Sequence, residues 1–185
     1  GGLIGNNYST SSNTYSITNS HAMGEVNASN SDYVGGLIGF NKGINLDKVS
    51  AKGKVTGHNN VGGLVGLNQD SNITNANTAA TSIVTASGFN VGGLIGYNYS
   101  LYRNTYSIKN SHALGNVKVN STNDTYVGGL IGYNQNSNLS DVSAFGDVTA
   151  NTTGGSALAG GLVGFNQSGA ISNSSATGNV NANTT

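Results

Sequence analysis

One phrase returns six times along this 185-residue chain: GGLIGNN from Gly1, VGGLIGFN from Val34, VGGLVGLN from Val61, VGGLIGYN from Val91, VGGLIGYN from Val127 and AGGLVGFN from Ala159. A phrase recurring at such spacing excludes an ordinary single core. Each unit is too short to bury an apolar face alone, so neighbouring units must stack to bury a continuous one. The chain is read as one domain of six units, 1–33, 34–60, 61–90, 91–126, 127–158 and 159–185, each of 27–36 residues.

The second half of each unit carries its own pattern. From an Ile or Leu, a small or apolar residue follows at +3, Ala at +5, Gly at +7 and Val at +9, as in Leu46, Val49, Ala51, Gly53 and Val55 or Leu139, Val142, Ala144, Gly146 and Val148. From +3 onward the period is two, which predicts a strand with one fixed face and one free, water-facing one. Lys48, Ser50, Lys52 and Lys54 stand at the free positions of one copy, and Asn19, His21, Met23 and Glu25 at those of another. The third copy departs, with Thr78, Ala80 and Ser82 at the Ala, Gly and Val places, and an irregular coil is expected there.

The phrase itself resists a simple orientation. Strict alternation from Val34 puts Gly36, Ile38 and Phe40 on one face and Gly35, Leu37, Gly39 and Asn41 on the other. Both faces then carry apolar residues, so the paired glycines are read as a bend, where glycine permits unusual φ and close backbone approach. The Asn that closes each phrase, at Asn7, Asn41, Asn68, Asn98, Asn134 and Asn166, suits an amide ladder running from coil to coil.

Short strands, Gly/Asn turns and no helix-forming segment predict an all-β fold, a β-solenoid with equivalent residues about 4.8 Å apart along the axis. The crossover preference favours a right-handed parallel β-helix. Six coils would make a rod roughly 29 Å long. The small residues at +5 and +7 imply a thin core beside that strand.

The phrase G-G-L-[IV]-G-x-N followed by [IL]-x-[ND]-x-x-A-x-G-x-V resembles the GLUG repeat of large bacterial surface and secreted proteins, including adhesin-like polypeptides and the non-catalytic region of immunoglobulin A peptidases. The resemblance covers essentially the whole chain. It implies an extracellular or cell-surface setting in a bacterium and supplies no catalytic residues.

The six units also form two sets of three, 1–90 and 91–185, since coils one and four share NTYSI and NSHA and coils two and five share N-L-x-x-V-S-A-x-G-x-V. The extra length in coils one and four is rich in tyrosine, and Tyr8, Tyr15, Tyr99, Tyr102 and Tyr106 are expected in a side loop as contact residues, because tyrosine brings contact area at low entropic cost. Neither terminus has the polar character of a solenoid cap, and Gly1 opens inside a repeat with no starting Met. The chain is read as an excised segment of a longer solenoid or as a subunit stacking head to tail.

Composition narrows the chemistry. Charged residues make up 8% of the chain, seven basic against seven acidic, which leaves no basic surface for nucleic acid. With no cysteine there is neither a disulfide framework nor a thiolate metal site. No apolar run reaches the roughly 20 residues of a membrane-spanning helix. A glycosidase or lyase would need two carboxylates within roughly 5 to 9 Å. Asp47 and Asp141 are matched three coils apart, as are Asp32 and Asp124, so no acid pair is set up. His21 and His112 are likewise three coils apart and His58 sits in a turn, short of the convergent ligands zinc requires.

The sequence therefore points to a non-enzymatic structural or adhesive repeat segment, an adhesin stalk or passenger, without cofactor or metal. Its partners would be neighbouring coils, further copies of itself, or a host or matrix glycan or protein. The alternative is a subunit of a self-assembling extracellular filament or biofilm fibre. A carbohydrate-binding or carbohydrate-active β-helix ranks after both.

Overall fold

The computed structural model describes residues 1–10, 15–102 and 105–185. The described residues contain no helix, and their 29 short strands form five parallel sheets. Four sheets take one strand from each coil in sequence order and the fifth takes one from each of the last five coils. The molecule is a β-solenoid of six turns.

A single coil shows how the sequence makes the cross-section. In coil two, Val34–Gly35 lies in the first sheet, Ile38–Lys42 in the second, Ile44–Asp47 in the third, Ser50–Ala51 in the fourth and Val55–Gly57 in the fifth. The registers repeat without slippage. Ile38 pairs with Ile4 and Val65, and Val65 pairs in turn with Ile95, Ile131 following and then Val163.

The GGL phrase is a stacked bulge, and strict alternation fails there. The Leu64 carbonyl accepts two hydrogen bonds from the coil before it, Leu37 N–H at 2.9 Å and Ile38 N–H at 3.0 Å. The carbonyls of Leu37, Leu94, Leu130 and Leu162 do the same for their neighbours. Two consecutive residues thereby turn inward, and Leu37 and Ile38 are both completely buried.

Glycine is needed at this bulge because of space, not because of φ. A Cβ on Gly35 would stand 2.0 Å from its own coil's Ile38 oxygen and 2.7 Å from the Leu64 oxygen of the next. One on Gly36 would stand 2.2 Å from the Gly63 oxygen and 3.0 Å from Ala51 Cβ. Gly36 and Ala51 face each other across a waist that divides the interior in two. On one side lie Leu37, Ile38, Leu46 and Val49 with their stacked counterparts. On the other lie Val34, Val55, Val61, Val84 and theirs. The small residues read as a thin core are this waist.

The second half of each repeat is three strands around corners, not one. Its +2 residue takes the left-handed conformation in all six coils: Asn19, Lys48, Asn75, Asn110, Asp141 and Asn173, with φ between 44° and 55°. Asn and Asp tolerate this region better than other non-glycine residues, and Lys48 is the exception. The corner separates the third sheet from the fourth. Val55, past a second turn, belongs to the other core.

The third coil is regular, contrary to the expectation from its sequence. Thr78 pairs with Ala51 and Ala113, and Val84 pairs with Val55 and Val117. The departure is two extra residues in the turn between Thr78 and Val84, closed by Ser82 N–H to the Ala79 oxygen at 2.9 Å. Thr78 is buried at the waist because its hydroxyl donates to the Gly93 oxygen at 3.2 Å.

Candidate functional site

The closing asparagines form a continuous chain. Asn7 Nδ2 donates to Asn41 Oδ1 at 2.7 Å, Asn41 to Asn68 at 2.8 Å, Asn68 to Asn98 at 2.9 Å, Asn98 to Asn134 at 2.8 Å and Asn134 to Asn166 at 2.8 Å. The second hydrogen of the same amide turns to the carbonyl three residues on, as from Asn41 to Ile44 at 2.8 Å and from Asn134 to Ser137 at 2.8 Å. Asn41, Asn68 and Asn134 thus use both donors and the acceptor internally, which leaves them nothing to offer a ligand. The ladder is a device for fixing register, and aligned amide dipoles strengthen one another.

A second asparagine pair lies at the corner before the phrase, where Asn90 Nδ2 donates to Asn60 Oδ1 at 2.8 Å. It stops there because the next coil presents Tyr126 in front of Val127, and Asn90 Oδ1 is left buried without a donor.

The outward position between the bulge and the ladder carries a column that sequence reading passed over as variable. It runs Asn6, Phe40, Leu67, Tyr97, Tyr133, Phe165. Tyr97 and Tyr133 stack with centroids 4.9 Å apart and planes 15° from parallel, and Tyr133 meets Phe165 at 5.1 Å. Tyr126 rests on both Tyr133 and Phe165, and Tyr33 meets Phe40 edge-on at 5.9 Å. Tyr97 Oη donates to Gln135 Oε1 at 2.7 Å, and Tyr133 Oη donates to Gln167. Ring faces that meet each other are not free for a ligand. The repeated large residue before the ladder Asn was the available signal.

Burial beside Tyr133 and Tyr99 pushes the Tyr97 phenol up to about 12. Its contribution to stability is complete below the ordinary tyrosine range near 10 and is lost as pH rises through about 12. In a spectrophotometric alkaline titration a late component is expected near pH 12, and Tyr97→Phe to diminish it, with Tyr133, also raised by burial, remaining.

The tyrosines expected in a side loop divide. Tyr8, Tyr15 and Tyr102 are exposed, and Tyr99 is half-buried and stacks on Tyr97 at 5.9 Å. Tyr106 is 5% exposed and is not a surface contact. It stands two before the core Ile, as Tyr15 does, but has a coil on either side. Residues 11–14 and 103–104 of the two insertions lie outside the described residues.

The acids and histidines do not converge. Among the described residues no three His, Cys, Asp or Glu side chains gather as metal ligands. Asp47 and Asp141 are not equivalent as the sequence match suggested: register pairs Asp47 with Thr18 and Thr74, whereas Asp141 is the corner residue matching Lys48. Hydrogen bonds from Asn75 at 2.7 Å and Thr74 at 2.8 Å hold the Asp47 carboxyl below its ordinary range. His112 Nδ1 meets Ser143 Oγ at 2.6 Å and His58 Nδ1 meets Ser87 Oγ at 2.9 Å. No helix among the described residues is long and apolar enough to cross a membrane.

Comparison with known families matches the GLUG motif at residues 57–84, 123–149 and 155–181. Each match spans one turn of the solenoid, from the fifth sheet or the turn after it round to the fifth sheet again. The chain is also similar to Halomucin of Haloquadratum walsbyi, 40% identical over 164 residues, which is 83% of this chain and 2% of that protein. The chain thus corresponds to a small fraction of its relative's length. No solved structure matches it.

Proposed function

Because the chain belongs to the GLUG-repeat family, we propose that it is a non-catalytic, stiff segment of a large surface protein, acting as a stalk or passenger that holds other parts of that protein away from the cell. The observation that carries this reading is the unbroken register of all six coils, tied by the buried amide ladder. Such a structure is rigid along its axis and can be lengthened by adding coils without altering any contact already made. Similarity to a very long archaeal protein whose name denotes a mucin supports surface display. The bacterial source implied by the resemblance gains no support from that relative.

The experiment is surface labelling on cells of the source organism. An antibody raised against the purified segment is expected to label intact cells. Labelling confined to permeabilised cells, with none on intact cells or in the medium, would overturn the reading.

A further inference from the structure

Coils one and four carry insertions at the same corner of the solenoid, between the ladder Asn and the core Ile of the third sheet. Asn7 to Ile17 and Asn98 to Ile108 each span ten residues, whereas Asn41 to Leu46 and Asn68 to Ile73 span five. Tyr8, Ser9 and Thr10 of the first and Leu101, Tyr102 and Tyr106 of the second therefore stand as two walls about 14 Å apart at the coil spacing. Between them the corners of coils two and three make a low floor.

This recess, of about 330 Å³, lies at the lower end of the range for small-ligand sites. Tyr8 forms one wall and Leu101, Tyr102 and Tyr106 the other, with Lys42 and Asp70 on the floor. Tyr8 and Tyr102 are 56% and 68% exposed. Unlike the rings of the Tyr97 column, neither is stacked on another aromatic. Lys42 Nζ stands 5.4 Å from the Tyr8 centroid, so cation and ring are held together. The Asp70 carboxylate is buried, with Oδ1 accepting from Leu101 N–H at 2.8 Å and Oδ2 from Gln69 Nε2 at 3.1 Å. It therefore pins the second wall to the floor.

We propose that this recess binds a neutral sugar, one or two hexose rings in size. A pyranose has an apolar C–H face and a rim of hydroxyls. The tyrosine rings match the face, while the Lys42 ammonium offers charge-assisted hydrogen bonds to the rim. Among the described residues that line the recess, Lys42 and Asp70 cancel in charge. The site is independent of the stalk reading, because a rod that bound no sugar would still label at the cell surface.

The probes are cellobiose, lactose and N,N′-diacetylchitobiose, titrated against the whole chain by saturation-transfer NMR. At least one is expected to bind with a dissociation constant on the order of 1 mM. Tyr8→Ala and Tyr102→Ala should each weaken it about tenfold or more without changing the circular dichroism melt, and Tyr15→Ala, exposed outside the recess, should leave it unchanged. The proposal is overturned if none of the three binds at ~20 mM, or if binding survives in the Tyr8→Ala/Tyr102→Ala double variant. Retention of heparin in place of the sugars, abolished by Lys42→Met and by salt, would equally overturn it.

Discussion

Gly92→Ala is expected to destabilise the solenoid by about 3–5 kcal/mol, an effect at the upper end for a single methyl group. The added Cβ would stand 2.1 Å from the Ile95 oxygen, 2.7 Å from the Leu130 oxygen and 2.8 Å from the Gly132 nitrogen. All three are backbone atoms, two of them in the next coil, so no rotamer change relieves the clash. Gly92 is in coil four, and a local shift there propagates to ladders on both sides. Gly24→Ala is the matched control: its Cβ would meet nothing within 4 Å, and its effect is expected within about 0.5 kcal/mol. Urea unfolding of both variants measures the difference. Equal midpoints would mean that the double-acceptor bulge is not what the repeated glycines serve.

Asn68→Ala should cost about 3 kcal/mol. The amide accepts from Asn41, donates to Asn98 and donates to the Ser71 carbonyl at 3.1 Å, all buried. Truncation leaves a donor above and acceptors below without partners, at roughly 1 kcal/mol or more each. Asn68→Asp should be worse at neutral pH. It retains an acceptor for Asn41 but aims a carboxylate at the Asn98 and Ser71 oxygens. Protonated, the same group can donate to Asn98. Its folded pKa therefore rises above the unfolded value near 3.9, and stability should fall as pH increases from about 4 to 7. A variant whose denaturation midpoint is flat across that range would show that the buried amide chain does not bear on register.

The solenoid was legible because stacking turns structure into repetition. Every core column is a sequence column, so Leu46, Val49, Ala51 and Val55 announce themselves in five copies. The corners were less legible. The left-handed residue at +2 is Asn in four coils but Lys48 and Asp141 in the others; a period-two reading starts after it at +3, and passes over the second turn because Ala51 and Val55 stay inward on either side of it. The GGL bulge could not be oriented from alternation, since the double acceptance by one carbonyl is an interaction between coils with no trace in a single strand. Thr78 misled for the opposite reason. Its unlike side chain fits the waist, and two inserted residues restore the phase by Val84.

The surface was legible only in part. Tyrosine richness marked the insertions, yet burial separates Tyr106 from Tyr102 within one of them. The recess requires pieces from coils one to four: alignment on the ladder Asn sets Lys42 beside Tyr8, but the insertion in coil four leaves no repeat column that sets Asp70 beneath Leu101. The aromatic column of Phe40, Tyr97, Tyr133 and Phe165 hid as a variable position, although its size and spacing are those of a coil-to-coil stack.

The in-register parallel stack is tested most directly by cysteine pairing, since the natural chain has no cysteine to compete. Thr85 and Lys118 are register partners on the outer face of the fifth sheet, as are Thr56 and Thr85. Adjacent parallel strands bring such partners within about 5 Å, inside disulfide range, whereas positions two coils apart lie near 10 Å. The Thr85→Cys/Lys118→Cys variant is expected to oxidise to an intramolecular disulfide under mild conditions, and Thr56→Cys/Lys118→Cys to stay reduced. Rapid closure of the second pair with none in the first would contradict the coil order and register on which the whole account rests.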